Sequence, residues 1–78
     1  MYLTITSPSG ILCRTTVDKV SLPGTVGAFT VLPGHAPLIS QLKEGKIIYA
    51  KEGEEHVQDL KSGFVKVLKD TIEICIET

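Results

Sequence analysis

The sequence predicts an all-β domain: two stacked sheets, or a flattened barrel, of roughly eight to ten short strands. Three observations carry that expectation. Apolar residues recur with a period of two, most cleanly at the C-terminus, where Ile72, Ile74 and Ile76 alternate with Glu73, Cys75 and Glu77. Turn residues punctuate the chain at intervals of about eight residues. The stretch Val20–Leu42 holds three of the four prolines and three of the seven glycines, which forbids a helix through its centre.

The first strand is read from Leu3 and Ile5 alternating with Tyr2, Thr4 and Thr6, and Ser7-Pro8-Ser9-Gly10 turns it. Ile11, Cys13, Thr15 and Val17 then share one face, with Leu12, Arg14 and Thr16 on the other. The inward pair Val20 and Leu22 breaks that phase, so a bulge or strand break is expected at Asp18-Lys19. Pro23-Gly24 and Pro33-Gly34 each suit a type II turn, proline presetting φ at the first central position and glycine accepting positive φ at the second. They bracket a short apolar strand, Ala28 to Leu32, and Pro37 holds Ala36 extended. Leu38, Ser40 and Leu42 alternate with Ile39 and Gln41, and Lys43-Glu44-Gly45 turns the chain. Ile47 and Tyr49 alternate with Ile48 and Ala50, leaving both faces apolar enough for one to meet a partner, and Glu52-Gly53-Glu54 is a hairpin tip.

The segment from His56 to Leu68 fits helical spacing as well, through Val57, Leu60, Phe64, Val67 and Leu68. Ser62-Gly63 interrupts it, and the residues around Phe64 are β-branched. Two strands, His56–Leu60 and Phe64–Leu68, are therefore expected around a tight Lys61-Ser62-Gly63 turn.

A chain of 78 residues is one domain, residues 1–78, near the size where folding buries only about 60% of the unfolded surface. Apolar residues at 42% and charged residues at 22% fit a globular protein. A formal charge of −1, and aromatics at only 5%, give no reason to expect nucleic-acid binding or attraction to an anionic membrane. Cys13 and Cys75 form no Cys-x-x-Cys pair and are expected as reduced thiols of an intracellular protein, with a disulfide as the alternative. Thr4, Thr6, Ser7 and Pro8 interrupt any signal-peptide core, and no apolar run approaches the ~20 residues of a membrane-spanning helix.

Candidate chemistry is sparse. His35 lies in a Gly-His-Ala-Pro corner without His, Cys or Asp at ligand spacing, and His56 flanks a hairpin, so no metal site is expected. Nothing brings a nucleophile, base and orienting acid together, and Glu54-Glu55 sits on a hairpin tip without apolar shielding, so no catalytic residues are expected. Gly24, Gly27 and Gly34 lack the strand-to-helix setting and the Lys-Ser/Thr ending of a phosphate loop. No cofactor is expected.

Read as a string, Val20-x-Leu22-Pro23-Gly24-x-x-Gly27-x-Phe29-x-Val31-Leu32-Pro33-Gly34-His35-Ala36-Pro37-Leu38 resembles the signature of the epsilon subunit of F-type ATP synthases, the delta subunit of mitochondrial enzymes. The likeness extends to Leu3-Thr4-Ile5 with Ser7-Pro8, to Leu42-x-x-Gly45 with Ile47, and to Thr71–Glu77. It includes Ser62-Gly63-Phe64-Val65-x-Val67, although Ser62 stands where a second glycine is common. The resemblance covers essentially the whole chain.

That resemblance implies the family's N-terminal β-sandwich, a flattened barrel of about ten strands. It implies a non-catalytic central-stalk subunit that binds the gamma subunit, stands on the c-ring and couples ion translocation to ATP synthesis. The complex would sit at the cytoplasmic face of a bacterial inner membrane, with no direct membrane insertion by this chain. Thr25, Val26, Gly27 and Ala28 occupy the turn similar to the family's ring contact, with His35 in an adjacent corner of the same end. Ala28 stands where many relatives carry an acidic residue, which puts a charged ring contact in doubt. Ser7, Leu38 and Ser40 resemble gamma-facing positions, and Pro23, Gly24, Pro33, Gly34 and Pro37 are structural turns. Most bacterial members continue into a pair of C-terminal helices, whereas this sequence ends at Thr78 with no helical hairpin. The Met1 start and polar end favour a natural short subunit, with a piece of a longer chain as the alternative. The competing readings are an unrelated small β-sandwich binding module and a small hydrolase or metal protein using His35.

Overall fold

A computed structural model describes residues 1–78. It contains nine strands and no helix: β1 (Tyr2–Ser7), β2 (Gly10–Thr16), β3 (Lys19–Pro23), β4 (Ala28–Val31), β5 (Leu38–Leu42), β6 (Gly45–Lys51), β7 (Glu54–Leu60), β8 (Ser62–Leu68) and β9 (Thr71–Glu77). Five form one sheet in the order β2-β1-β9-β8-β5, and four form the other in the order β4-β3-β6-β7. All neighbours are antiparallel except β1 and β9, the first and last strands, which pair in parallel from Tyr2↔Thr71 to Thr6↔Cys75.

Period-two alternation places one apolar row of each sheet inside. Leu3, Ile5, Val65, Val67, Ile72, Ile74 and Ile76 from the five-stranded sheet meet Val20, Leu22, Val31, Ile47 and Leu60 from the other, and all are at most 3% exposed. Val17 and Leu42 complete this cluster, which contains no aromatic residue among its fully buried members. Each such side chain contributes roughly 1.5–3 kcal/mol on burial, so the aliphatic interior is the main source of stability.

Two hairpins have two-residue tips in the left-handed region. Glu52 (φ 52°) and Gly53 (φ 82°) join β6 to β7, and Lys69 (φ 50°) and Asp70 (φ 61°) join β8 to β9, as the strand twist demands of tight turns.

Three local expectations need correction. Pro33-Gly34 is a type II turn, with Gly34 at φ 82° and the His35 N–H donating to the Leu32 carbonyl at 3.1 Å. Pro23-Gly24 is not. Pro23 is the last residue of β3, and Gly24 bridges to Leu42, tying the two sheets together along one edge. A Cβ on Gly24 would lie 2.6 Å from the Gly27 carbonyl and 2.9 Å from the Phe29 ring, so close approach explains this glycine. The Lys61-Ser62-Gly63 segment is likewise no tight turn. Ser62 and Gly63 already belong to β8, and Lys61 is a corner at which the chain changes sheet, held by its N–H to the Glu77 carbonyl at 2.7 Å. The strand break expected at Asp18-Lys19 is present, and by the same device: β2 ends at Thr16 and β3 opens in the other sheet. A bulge falls earlier, where Ile5↔Cys13 is followed by Thr6↔Ile11 and Leu12 is left unpaired; it turns Ile11 to the exposed face, opposite Thr6, so Ile11 does not share a face with Cys13 as the spacing suggests.

Candidate functional site

Strand direction sorts the loops into two ends. At one end lie the Thr25–Gly27 loop, Lys43-Glu44, Lys61, the end of β9 and the Ser7–Gly10 turn. At the other lie Asp18, the Leu32–Pro37 corner and the tips of the β6–β7 and β8–β9 hairpins. The structure therefore separates His35 from Thr25–Ala28. Ala28 and Val31 are opposite ends of β4, ~10 Å apart at the strand rise, and His35 lies beyond the far end. The expectation that His35 shares an end with Thr25–Ala28 fails because β4 carries the chain across the molecule between them.

The Thr25–Gly27 loop is short and braced. The Thr25 N–H donates to the Gln41 carbonyl at 3.1 Å, Gly27 N–H to Gly24 O at 3.1 Å, and Lys43 N–H to Pro23 O at 2.9 Å. Val26 at its tip is fully exposed, at 102%. Beside the loop, Ser7, Pro8, Gln41, Gly63 and Phe64 help line an open groove of about 630 Å³.

The outer face of the five-stranded sheet is the larger feature. Registers place Gln41, Phe64, Cys75, Thr6 and Ile11 in one row across all five strands, and Ile39, Lys66, Glu73, Thr4 and Arg14 in the next. Ile39, Ile11 and Phe64 are 76%, 55% and 52% exposed. Six of the nine large exposed apolar side chains belong to this sheet, which marks it as the surface that water leaves least satisfied. The outer face of the other sheet is more polar: the Ser21 and Thr30 hydroxyls lie 3.1 Å apart and Lys46 meets Asp59 at 2.7 Å, with Val57 its one large exposed apolar side chain.

Leu38 and Ser40 face inward from β5. Leu38 packs on the core, and the half-buried Ser40 donates its hydroxyl to the Gln41 carbonyl at 3.1 Å. Ser7 lies at the Thr25 end, its hydroxyl 3.0 Å from that of Ser9. Their exposed neighbours are Ile39, Gln41 and Phe64, which the sequence reading did not single out. The signal was present: Phe64 is out of phase with the inward pair Val65 and Val67.

The remaining polar chemistry does not converge. His35 donates from Nδ1 to the Ala36 carbonyl at 2.7 Å, which selects that tautomer, while His56 stacks on Tyr49 with ring centroids 5.3 Å apart. No three His, Cys, Asp or Glu side chains gather where a metal could bind. Both cysteines are free, on opposite faces of their sheet: Cys13 opposite inward Ile5, Cys75 opposite outward Thr6. Cys13 on β2 and Tyr49 on β6 meet between the two sheets, the Cys13 thiol donating to the Tyr49 hydroxyl, Sγ to Oη 3.5 Å. That hydrogen bond first, then burial, then repulsion from a Cys13 charge, pushes the Tyr49 phenol up to about 12.

Fold and surface together define a small two-sheet β-sandwich whose exposed chemistry is a flat apolar face and a braced loop tip. Residues 1–78 match the family described as ATP synthase, Delta/Epsilon chain, beta-sandwich domain, and the chain belongs to that family. It is 42% identical over 62 residues to the ATP synthase epsilon chain of Citrifermentans bemidjiense, covering 80% of this chain and 45% of that one. It is 37% identical over 78 residues to the epsilon chain of Trichlorobacter lovleyi, covering 100% of this chain and 56% of that one. The chain thus spans about half the length of the curated relatives it matches. Its fold superposes with a TM-score of 0.91 on a chain in the cryo-EM structure of the Euglena gracilis mitochondrial ATP synthase, OSCP/F1/c-ring, at 23% identity, covering 97% of this chain and 49% of that one. A chain of the Tetrahymena thermophila mitochondrial ATP synthase central stalk and c-ring superposes with a TM-score of 0.84 at 13% identity, covering 100% and 63%. At these identities the two structures show the shared fold.

Proposed function

We propose that this chain is a non-catalytic rotor component of an F-type ATP synthase, joining the gamma subunit to the c-ring and coupling ion translocation to ATP synthesis. The family match through all 78 residues is the observation that carries it. In this reading the two contacts fall on different parts of the molecule. The apolar face built on Phe64, Ile39, Cys75 and Ile11 is the surface offered to gamma, with Ser7 at its rim and the inward Leu38 and Ser40 shaping β5 beneath it. The Thr25–Ala28 tip faces the ring. His35 leaves the ring-facing group, because its corner feeds β5 from the opposite end.

Such a spacer works by stiffness. Torque applied at the loop tip reaches the sheet through three backbone hydrogen bonds, two of which form the Gly24–Leu42 bridge, with little freedom left to lose on docking. The chain has no helix long and apolar enough to cross a membrane. In this reading it lies peripherally, on the cytoplasmic side of the bacterial membrane, held by its partners. The test is capture of the gamma subunit and c-ring from native membranes with this chain as bait. Recovery of both is expected, and failure to retain gamma would sink the proposal.

A further inference from the structure

The Leu32–Pro37 corner lies outside both sheets, and its internal hydrogen bonds, His35 N–H to Leu32 O and His35 Nδ1 to Ala36 O, do not reach beyond it. One hydrogen bond does: Gly34 N–H donates to Asp70 Oδ1 at 3.3 Å. Asp70 is itself fixed. It is the second residue of the β8–β9 tip, at φ 61°, and its carbonyl accepts the Tyr2 N–H at 2.8 Å. A single carboxylate thus ties the Pro-Gly-His corner to the point where β1, β8 and β9 meet.

We propose that Asp70 is the positioning residue of this corner: it anchors Gly34, and so sets where exposed Leu32 and His35 stand beside β5 when a partner docks. The docking half of this inference rests on the gamma-facing role given above to the β5 side of the molecule. The physical argument is local. Proline and glycine shape the turn, yet shape alone leaves the corner free to swing about its two ends, Leu32 and Pro37. An external anchor removes that motion before binding, so the partner need not.

Two substitutions isolate the anchor. Asp70→Asn keeps an acceptor oxygen at the same atom and tolerates the left-handed backbone. Asp70→Gly suits that backbone better than aspartate does, but removes the acceptor. Amide exchange of Gly34, followed by NMR in the 78-residue chain, should quicken about 5-fold in Asp70→Gly and stay near wild type in Asp70→Asn. Dissociation of purified gamma subunit should quicken in the same order. Unchanged Gly34 exchange in Asp70→Gly would overturn the anchor. Faster exchange with unaltered gamma dissociation would overturn the positioning role. Wild-type protein that ignores gamma would instead overturn the rotor reading, while the exchange measurement still decides the anchor.

Discussion

Gly63 lies flat against Cys75: a Cβ built on Gly63 would stand 2.4 Å from the Cys75 carbonyl oxygen, with Ile76 at 3.1 Å behind it. The close contact falls where β8 leaves the Lys61 corner and begins to pair with β9. Gly63→Ala must move backbone on one of the two strands, so a loss of about 1–3 kcal/mol is expected in urea denaturation. A variant as stable as wild type would show that the strands separate freely there.

The inner and outer rows of the five-stranded sheet should separate fold from docking. Ile74→Ala, 1% exposed, should cost about 2–5 kcal/mol through the cavity it leaves. Phe64→Ser, at 52% exposure, should change stability far less, yet weaken capture of gamma by 10-fold or more, on the order of 1.4 kcal/mol. Equal capture by wild type and Phe64→Ser, in a surface-binding measurement, would remove that face from the interface.

Val26 should behave in the opposite manner. Its side chain touches little, so Val26→Asp should unfold within about 0.5 kcal/mol of wild type. Placed against the ring, the new charge should lower ATP-driven proton pumping in vesicles carrying the reconstituted synthase. Full pumping would mean that the Thr25–Ala28 tip does not meet the ring.

Gly34 is required by its backbone angle rather than by space: φ is 82°, and a Cβ at this position would meet no atom within 4 Å. Gly34→Ala should therefore cost about 1–2 kcal/mol in thermal unfolding, and Gly34→Asn less, because asparagine enters the left-handed region more readily. Indistinguishable melting of all three would contradict a type II turn there.

Tyr49 links stability to alkaline pH. Its phenol rises from 10.0 to about 12 in the fold, so the folded state holds its proton more tightly than the unfolded one. That contribution is complete below pH 10 and drains away as pH climbs toward about 12. In a Tyr2→Phe background, phenolate absorbance should report Tyr49 near 12, and adding Cys13→Ser should bring it back toward 10. An unmoved midpoint would show that Cys13 is not the cause.

Most of the strand pattern was legible because alternation alone reveals which face is buried. Ile72, Ile74 and Ile76 face inward as their spacing dictates, as do Val20 and Leu22. The site was less legible. Leu38 and Ser40 sit at the expected positions in the chain, but they point inward, and the exposed face is carried by residues from five strands that no local window joins.

Short-range chemistry was thus enough for strand identity, the Pro33-Gly34 turn and the aliphatic core, since each depends on a few neighbouring residues. Which strands share a sheet, that Lys61 is a corner, and that His35 and Val26 occupy opposite ends were settled only in three dimensions. The reason is that hydrogen bonds between strands join residues as distant in sequence as Tyr2 and Thr71, and a chain read locally carries no record of that pairing.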